Sequence, residues 1–275
     1  KKPLMPLEEA NAKRSVITWR AEDIAPVPFV GTRVVEVALA DLIPYIDWTF
    51  FFTAWELRGK FPDILQHPEQ GAAARDLYEA AQAMLRKLVD EGKLQAKGVY
   101  GYYPAAADGN DLVVYTDESR SAERLRFPML RQQTVMKEVK AQAALSDFIA
   151  PVSTQLPDHI GAFAVTAGLG IDAIVKELEL HGDDYHAIIV KSLADRLAEA
   201  FAEHLHERVR RECGYGEAAK LSAEDLAAEK YRGIRPAFGY PACPDHSEKT
   251  KLFAILEAER AGMELTEHMA MLPAA

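Results

Sequence analysis

Apolar residues recur every three to four positions along two long stretches of the chain, and that spacing predicts its two longest helices. In Gly71–Glu91, Leu77, Ala80, Ala81, Met84, Leu85 and Leu88 fall on one face. From Asp184 to Arg211 the stripe is Ile189, Leu193, Leu197, Phe201 and Leu205, widened by Val190 and Ala194. Arg196, Glu199, Glu203 and Arg210 lie off that stripe. Asp183 and Asp184 precede it as caps. Shorter helices are predicted over Leu7–Arg14, Ala40–Ile46, Ile171–Leu180, Leu221–Lys230 with Ser222 as N-cap, and Ser247–Gly262. β-branched and aromatic runs predict strands over Thr32–Leu39, Gly98–Tyr103, Leu112–Thr116, Arg124–Met129 and Ala162–Thr166. The turn signal Asp108-Gly109-Asn110 makes a hairpin of the second and third. Trp48–Trp55 is densely aromatic, and its plain reading is a plug of the core. Strands cluster in the middle and helices dominate later, so the class is α+β rather than regular βαβ.

Composition narrows the function classes. The chain has 275 residues, 49% hydrophobic and 27% charged, with a net charge of −10. That acidic balance argues against a nucleic-acid partner. The two cysteines, Cys213 and Cys243, are too few for a disulfide framework and fit a reducing, cytoplasmic setting. Apolar runs fall far short of the roughly 20 residues of a membrane span, so no membrane partner is expected. Residues 1–30 are polar and carry Pro3, Pro6, Pro26 and Pro28, and they read as an interdomain linker or N-terminal arm. Residues 31–275 then form the folded domain.

Three constellations could carry chemistry. Gly168-Leu169-Gly170-Ile171-Asp172-Ala173 follows a strand and opens a helix, as in a dinucleotide site. Such a site also needs a second parallel strand ending in an acidic residue, and here the long helix begins instead. The alternative is a tight strand-to-helix turn with a positive-φ glycine, serving the backbone only. Cys243 and His246 lack the further ligand pair that zinc requires, so no metal ligand is assigned. In Arg232-Gly233-Ile234-Arg235-Pro236-Ala237-Phe238-Gly239-Tyr240-Pro241, two prolines and two glycines fix an irregular backbone around an arginine and a tyrosine. Arg235 is either a bidentate clamp for a carboxylate or a surface arginine on a proline-rich turn.

Arg235-Pro236-Ala237-Phe238-Gly239-Tyr240 resembles the R-x-x-x-G-Y signature of the activation domain of cobalamin-dependent methionine synthase. Further blocks agree in order: Tyr45-Ile46-Asp47-Trp48-Thr49, Asp147-Phe148-Ile149-Ala150-Pro151, Ile160–Thr166, Leu193–Glu203, and Pro241–His246 after the signature. The resemblance covers essentially the whole chain. It implies one domain with a central antiparallel sheet flanked by long helices.

The resemblance also implies a role. Such a module binds S-adenosylmethionine and supports reductive methylation of cob(II)alamin to methylcobalamin. This reactivates the enzyme that carries methyl groups from methyltetrahydrofolate to homocysteine in methionine biosynthesis. The implied partners are a cobalamin-binding domain of the same enzyme and flavodoxin or another low-potential electron donor. Cobalamin would sit on the neighbouring domain, and zinc belongs to the full-length enzyme only. Asp47, Glu199 and Arg235 match the family's ligand-binding positions, and Glu229 and Tyr240 match neighbours of the same site. No residue is assigned a catalytic role, because cobalt itself attacks the methyl. Any contact with an acidic donor would need a basic patch, with Arg208, Arg210 and Arg211 as candidates. Phe50 and Phe238 stand where the family has prolines. The family also continues past the end of this chain, so the domain reads as truncated at its C-terminus, with ligand contacts missing. The alternatives are a docking module for a corrinoid protein that has lost the ligand, and a dinucleotide-binding enzyme built on Gly168 and Gly170.

Overall fold

A computed structural model describes residues 3–135, 141–216, 221–222, 225–226 and 228–273. Five strands form one antiparallel sheet: β1 (Gly31–Val37), β2 (Gln95–Asp108), β3 (Asp111–Tyr115), β4 (Glu123–Pro128) and β5 (His159–Leu169). β2 is the spine. Its first part pairs with β1 on one side and β5 on the other, and its last residues pair with β3, which pairs in turn with β4. The hairpin expected at Asp108-Gly109-Asn110 is present, with Asp108 opposite Asp111 and Gly109 at φ 64°.

β2 and β5 are longer than the sequence suggests. β2 runs through Pro104-Ala105-Ala106-Ala107, all buried. Both its faces are covered, so it lacks the apolar–polar alternation that marks a half-exposed strand. Tyr100 and Tyr102 enter a core shared with the helices α4 (Gly71–Glu91) and α6 (Asp184–Glu212). Val99 and Tyr103 point to the other face, into a second core with Phe127, Ile255 and Leu256. The expected stripe of α6, from Ile189 to Leu205, is fully buried at each predicted position. Such burial is worth about 1.5–3 kcal/mol per side chain and fixes which face of α6 is left for solvent. The Asp183 carboxylate caps α6 by accepting the His186 N–H at 3.2 Å.

The aromatic run becomes α3 (Trp48–Ala54), after α1 (Leu7–Ala12) and α2 (Leu39–Leu42). Trp48, Phe51 and Phe52 plug the core, whereas Phe50 is 61% exposed. One predicted helix differs. Ser247–Gly262 is broken: α7 (Lys249–Leu256) ends at Glu257 in the left-handed region, and a single 3-10 turn follows before Gly262. The apolar pattern continues through the break because Ala258, Ala261 and Met263 are still buried. The predicted helix Leu221–Lys230 lies partly outside the described residues. Within them, the Ser222 hydroxyl accepts the Asp225 N–H at 3.1 Å, as an N-cap does. A short hairpin of β6 (Glu264–Leu265) and β7 (Met271–Leu272) closes the described chain. The N-terminal arm lies along the domain, with Ala10 fully buried and the Met5 N–H donating to the Gln133 carbonyl at 2.9 Å.

The glycine pattern resolves into a turn. β5 pairs antiparallel with β2, and among the described residues no strand pairs parallel to it, as a dinucleotide fold would need. Gly168 still belongs to β5, and Gly170 alone makes the positive-φ step, at φ 91°, into α5 (Ile171–Leu180). A Cβ at Gly170 would lie 2.3 Å from the Lys93 carbonyl oxygen. Gly170→Ala is therefore expected to cost about 1–3 kcal/mol and to lower the melting temperature. Ligand affinity, read by calorimetry below that temperature, should be unchanged; a selective loss of nucleotide binding at full stability would contradict this.

Candidate functional site

α6 carries Asp195, Glu199 and Glu203 four residues apart, which places three carboxylates in a line on its solvent side. α3 approaches the same helix. The Tyr45 hydroxyl, just before α3, donates to Glu207 Oε2 at 2.7 Å, and its ring meets His204 edge-on at 5.4 Å. Phe50 lies under Arg196, whose Cζ is 5.8 Å from the ring centroid. Asp47 lies between these two anchors in the chain. Its Oδ1 accepts the N–H groups of Thr49 at 2.9 Å and Phe50 at 3.4 Å, capping α3. That cap explains why an aspartate stands there whether or not a ligand is bound.

Arg235 reaches this acidic line from the irregular loop. Its Nη2 pairs with Glu203 Oε1. Burial alone would lower its pKa, but the bond and charge of Glu203, with Tyr231 and Glu199, hold it above the ordinary arginine value. Arg235 Nη1 and Glu203 Oε2 are buried with no hydrogen-bond partner among the described residues. Each such orphan costs about 1–3 kcal/mol, so the pair is half-made.

The loop that delivers Arg235 is pinned at several points. The Gly239 N–H donates to the Cys243 carbonyl at 2.9 Å, and the Cys243 thiol to the Ala237 carbonyl at 3.0 Å. Phe238 packs on Phe127 with ring centroids 5.5 Å apart. Gly239 has φ 105°, and a Cβ there would strike the His246 ring at 2.4 Å. Tyr231 shields the inner side: Arg210 Cζ lies 4.0 Å from its ring centroid, and His206 meets it edge-on at 5.2 Å. Burial, and then the charge of Glu203, push the Tyr231 hydroxyl above its ordinary pKa.

Arg235 and Glu203 thus meet on the solvent side of α6, Glu199 is exposed one turn away, and Asp47 lies on the segment that Tyr45 and Phe50 hold to the same helix. Glu229 is also exposed, at φ 51°, and its carbonyl accepts the Tyr231 N–H at 2.8 Å. Tyr240 stands apart. It is 65% exposed, and its backbone forms the turn closed by Cys243. Among the described residues no hydrogen bond joins its hydroxyl to Arg235. Glu203 meets Arg235 although the sequence marks it only as a carboxylate off the apolar stripe, one turn from Glu199. Two cavities lie elsewhere. One of about 220 Å³ between α4 and α5 is lined by Lys87, Glu91, Glu177 and His181, and a broader one of about 430 Å³ runs by Leu39 and Gln95. The candidate site lies at Arg235, where the pinned loop meets Glu203 and Glu199 of α6.

The expected basic patch does not form. Arg210 is fully buried, Arg208 pairs with Glu212 at 2.7 Å, and Arg211 pairs with Glu207. Their spacing on α6 puts acidic residues within one turn of each exposed arginine, which neutralises it. Among the described residues no cluster of His, Cys, Asp and Glu is arranged to hold a metal ion, and no helix is long and apolar enough to cross a membrane.

Residues 38–275 match the family model of the vitamin B12 dependent methionine synthase activation domain. The chain belongs to this family. The activation domain also superimposes on a solved structure, described as the crystal structure of the MetH reactivation domain bound to AdoHcy. The TM-score is 0.92 and the identity 46%, over 98% of this chain and 84% of that one. The antiparallel sheet with flanking helices is therefore the activation-domain fold.

Proposed function

We propose that this activation domain binds S-adenosylmethionine at the Arg235 loop and presents it for reductive methylation of cob(II)alamin on a neighbouring domain. The observation that carries this reading is the half-made Arg235–Glu203 pair on the acidic side of α6. The solved relative bound to AdoHcy, at 46% identity, supports the ligand class. S-adenosylmethionine has a carboxylate, an ammonium and a sulfonium, with a net positive charge. Arg235 suits the carboxylate, and Asp47 and Glu199 suit the cationic groups or ribose hydroxyls. Glu229, before the loop, and Tyr240, within it, complete the proposed set. When bound, the ligand supplies an electrophilic methyl on sulfur, and the corrinoid supplies the acceptor.

This chain's residues therefore bind and orient, and no side chain needs to act as nucleophile. The proposed partners are the cobalamin-binding domain of the same enzyme and a low-potential donor such as flavodoxin. The alternative docking module without ligand makes the opposite prediction in calorimetry. S-adenosylmethionine should bind this chain and NAD should not. With the cobalamin-binding domain present, the visible band of cob(II)alamin should give way to that of methylcobalamin only when S-adenosylmethionine and a reductant are both supplied. Glu199→Gln should slow that conversion by roughly 10-fold, the effect of one charge-assisted contact of about 1.4 kcal/mol. Conversion at full rate without S-adenosylmethionine would overturn the assignment.

A further inference from the structure

We propose that Glu203 is a specificity-determining residue that, with Arg235, reads the zwitterionic α-amino-acid end of the ligand. This rests on the proposed site and adds a residue to it. Arg235 and Glu203 share a single contact, between Nη2 and Oε1, although a guanidinium and a carboxylate can form two parallel bonds. The second donor, Nη1, and the second acceptor, Oε2, are left buried and unmatched among the described residues. A pair that serves the loop alone gains from closing both bonds. One unmatched donor and one unmatched acceptor on two paired side chains complement a group that carries a carboxylate and an ammonium on the same carbon. The carboxylate takes Nη1 and the ammonium donates to Oε2.

Both side chains are partly exposed, although Nη1 and Oε2 themselves are shielded. Arg235 is 22% exposed and Glu203 19%, and the terminal carboxylate torsion of glutamate is broad. A turn about it exchanges the two carboxylate oxygens, and the ligand's ammonium and carboxylate replace the contact to Nη2 that the turn gives up. Glu203 stands on a 29-residue helix, so its backbone position is set before the ligand arrives. Glu199, one turn away and exposed, is left for the sulfonium or the ribose. The pair thereby selects for an amino-acid end and against analogues that lack either charge. A buried donor and acceptor left unpaired by such an analogue would penalise it twice.

The test compares S-adenosylmethionine with its deaminated analogue, in which hydrogen replaces the α-amino group, on wild type and Glu203→Gln by calorimetry. Wild type should prefer S-adenosylmethionine by roughly 10- to 100-fold, the range of a hydrogen bond to a charged group. Glu203→Gln should lose that preference, falling about 10-fold or more for S-adenosylmethionine and less than about 2-fold for the analogue. An equal loss for both ligands would mean that Glu203 only positions Arg235, and tighter binding of both would mean that it competes with the ligand carboxylate. Either result overturns the inference. If Glu203→Gln does not fold, Glu203→Asp carries the test: a reduced preference supports the reading and an undiminished one sinks it. Failure of wild type to bind S-adenosylmethionine would instead count against the proposed function as a whole.

Discussion

Arg235→Ala is expected to weaken S-adenosylmethionine binding by about 2–4 kcal/mol, a loss of roughly 30- to 1000-fold. Three effects add. The ligand carboxylate loses its cationic partner. Glu203 loses the arginine that neutralises it, so a bare carboxylate faces the ligand's own. The Arg232–Pro241 loop loses its anchor on α6, which adds an ordering cost on binding. The loop's other fixings, at Gly239, Cys243 and Phe238, do not involve Arg235, so the fold should survive. Arg235→Lys should recover only part of the affinity, because a point charge cannot serve Glu203 and a ligand carboxylate in one plane. Calorimetry on both variants, with melting curves as the control for folding, decides the matter. Unchanged affinity in a folded Arg235→Ala protein would remove Arg235 from the site.

The largest expected loss of stability lies away from the site, in the segment before β5. Arg131 and Asp147 form a bidentate pair with two bonds of 2.7 Å, and their side chains are 0% and 5% exposed. Arg131 also donates to Asn110 Oδ1 at 2.9 Å and to the Gln142 carbonyl at 2.6 Å, and Asp147 accepts the Ala144 N–H at 2.9 Å. The network staples the β2–β3 turn to the stretch leading into β5. Asp147→Ala leaves a buried guanidinium without its counter-charge and should cost about 3–5 kcal/mol, a fall of roughly 10 °C in melting temperature for a domain of this size.

The same pair sets a pH dependence. Burial pushes the Asp147 carboxyl up, but its bond to Arg131, the Ala144 N–H and the charges of Arg131 and Arg14 outweigh this and hold it below the usual range. A depressed folded pKa stabilises fully above the unfolded value of about 4 and is lost as pH falls through the folded value. Wild type and Asp147→Ala should therefore differ most near neutral pH and converge in acid. Melting curves from neutral pH down to strongly acidic pH test this, and a gap that persists unchanged in acid would show that the pair's charge is not its source.

Periodicity alone was enough to read the long elements. α4 and α6 match their predicted spans because each has a continuous apolar stripe and a polar back, and α5 matches because Gly170 forces its start. The signature around Arg235 identified the family from local sequence, since proline, glycine and arginine at fixed spacing specify a backbone as well as a side chain. Tertiary structure decided the rest. The full extent of β2 depends on cover from both faces, which no alternation in the strand records. The break at Glu257 depends on what Ala258 and Ala261 pack against. Glu203 joins Arg235 across more than thirty residues, and a carboxylate off the apolar stripe of a helix reads as solvated until a loop folds over it. The arginines Arg208 and Arg211 read as basic in sequence but stand neutralised by acidic neighbours one turn away. Local pattern reports the preference of each segment for water or core; only the packing of segments from distant parts of the chain decides which charges meet.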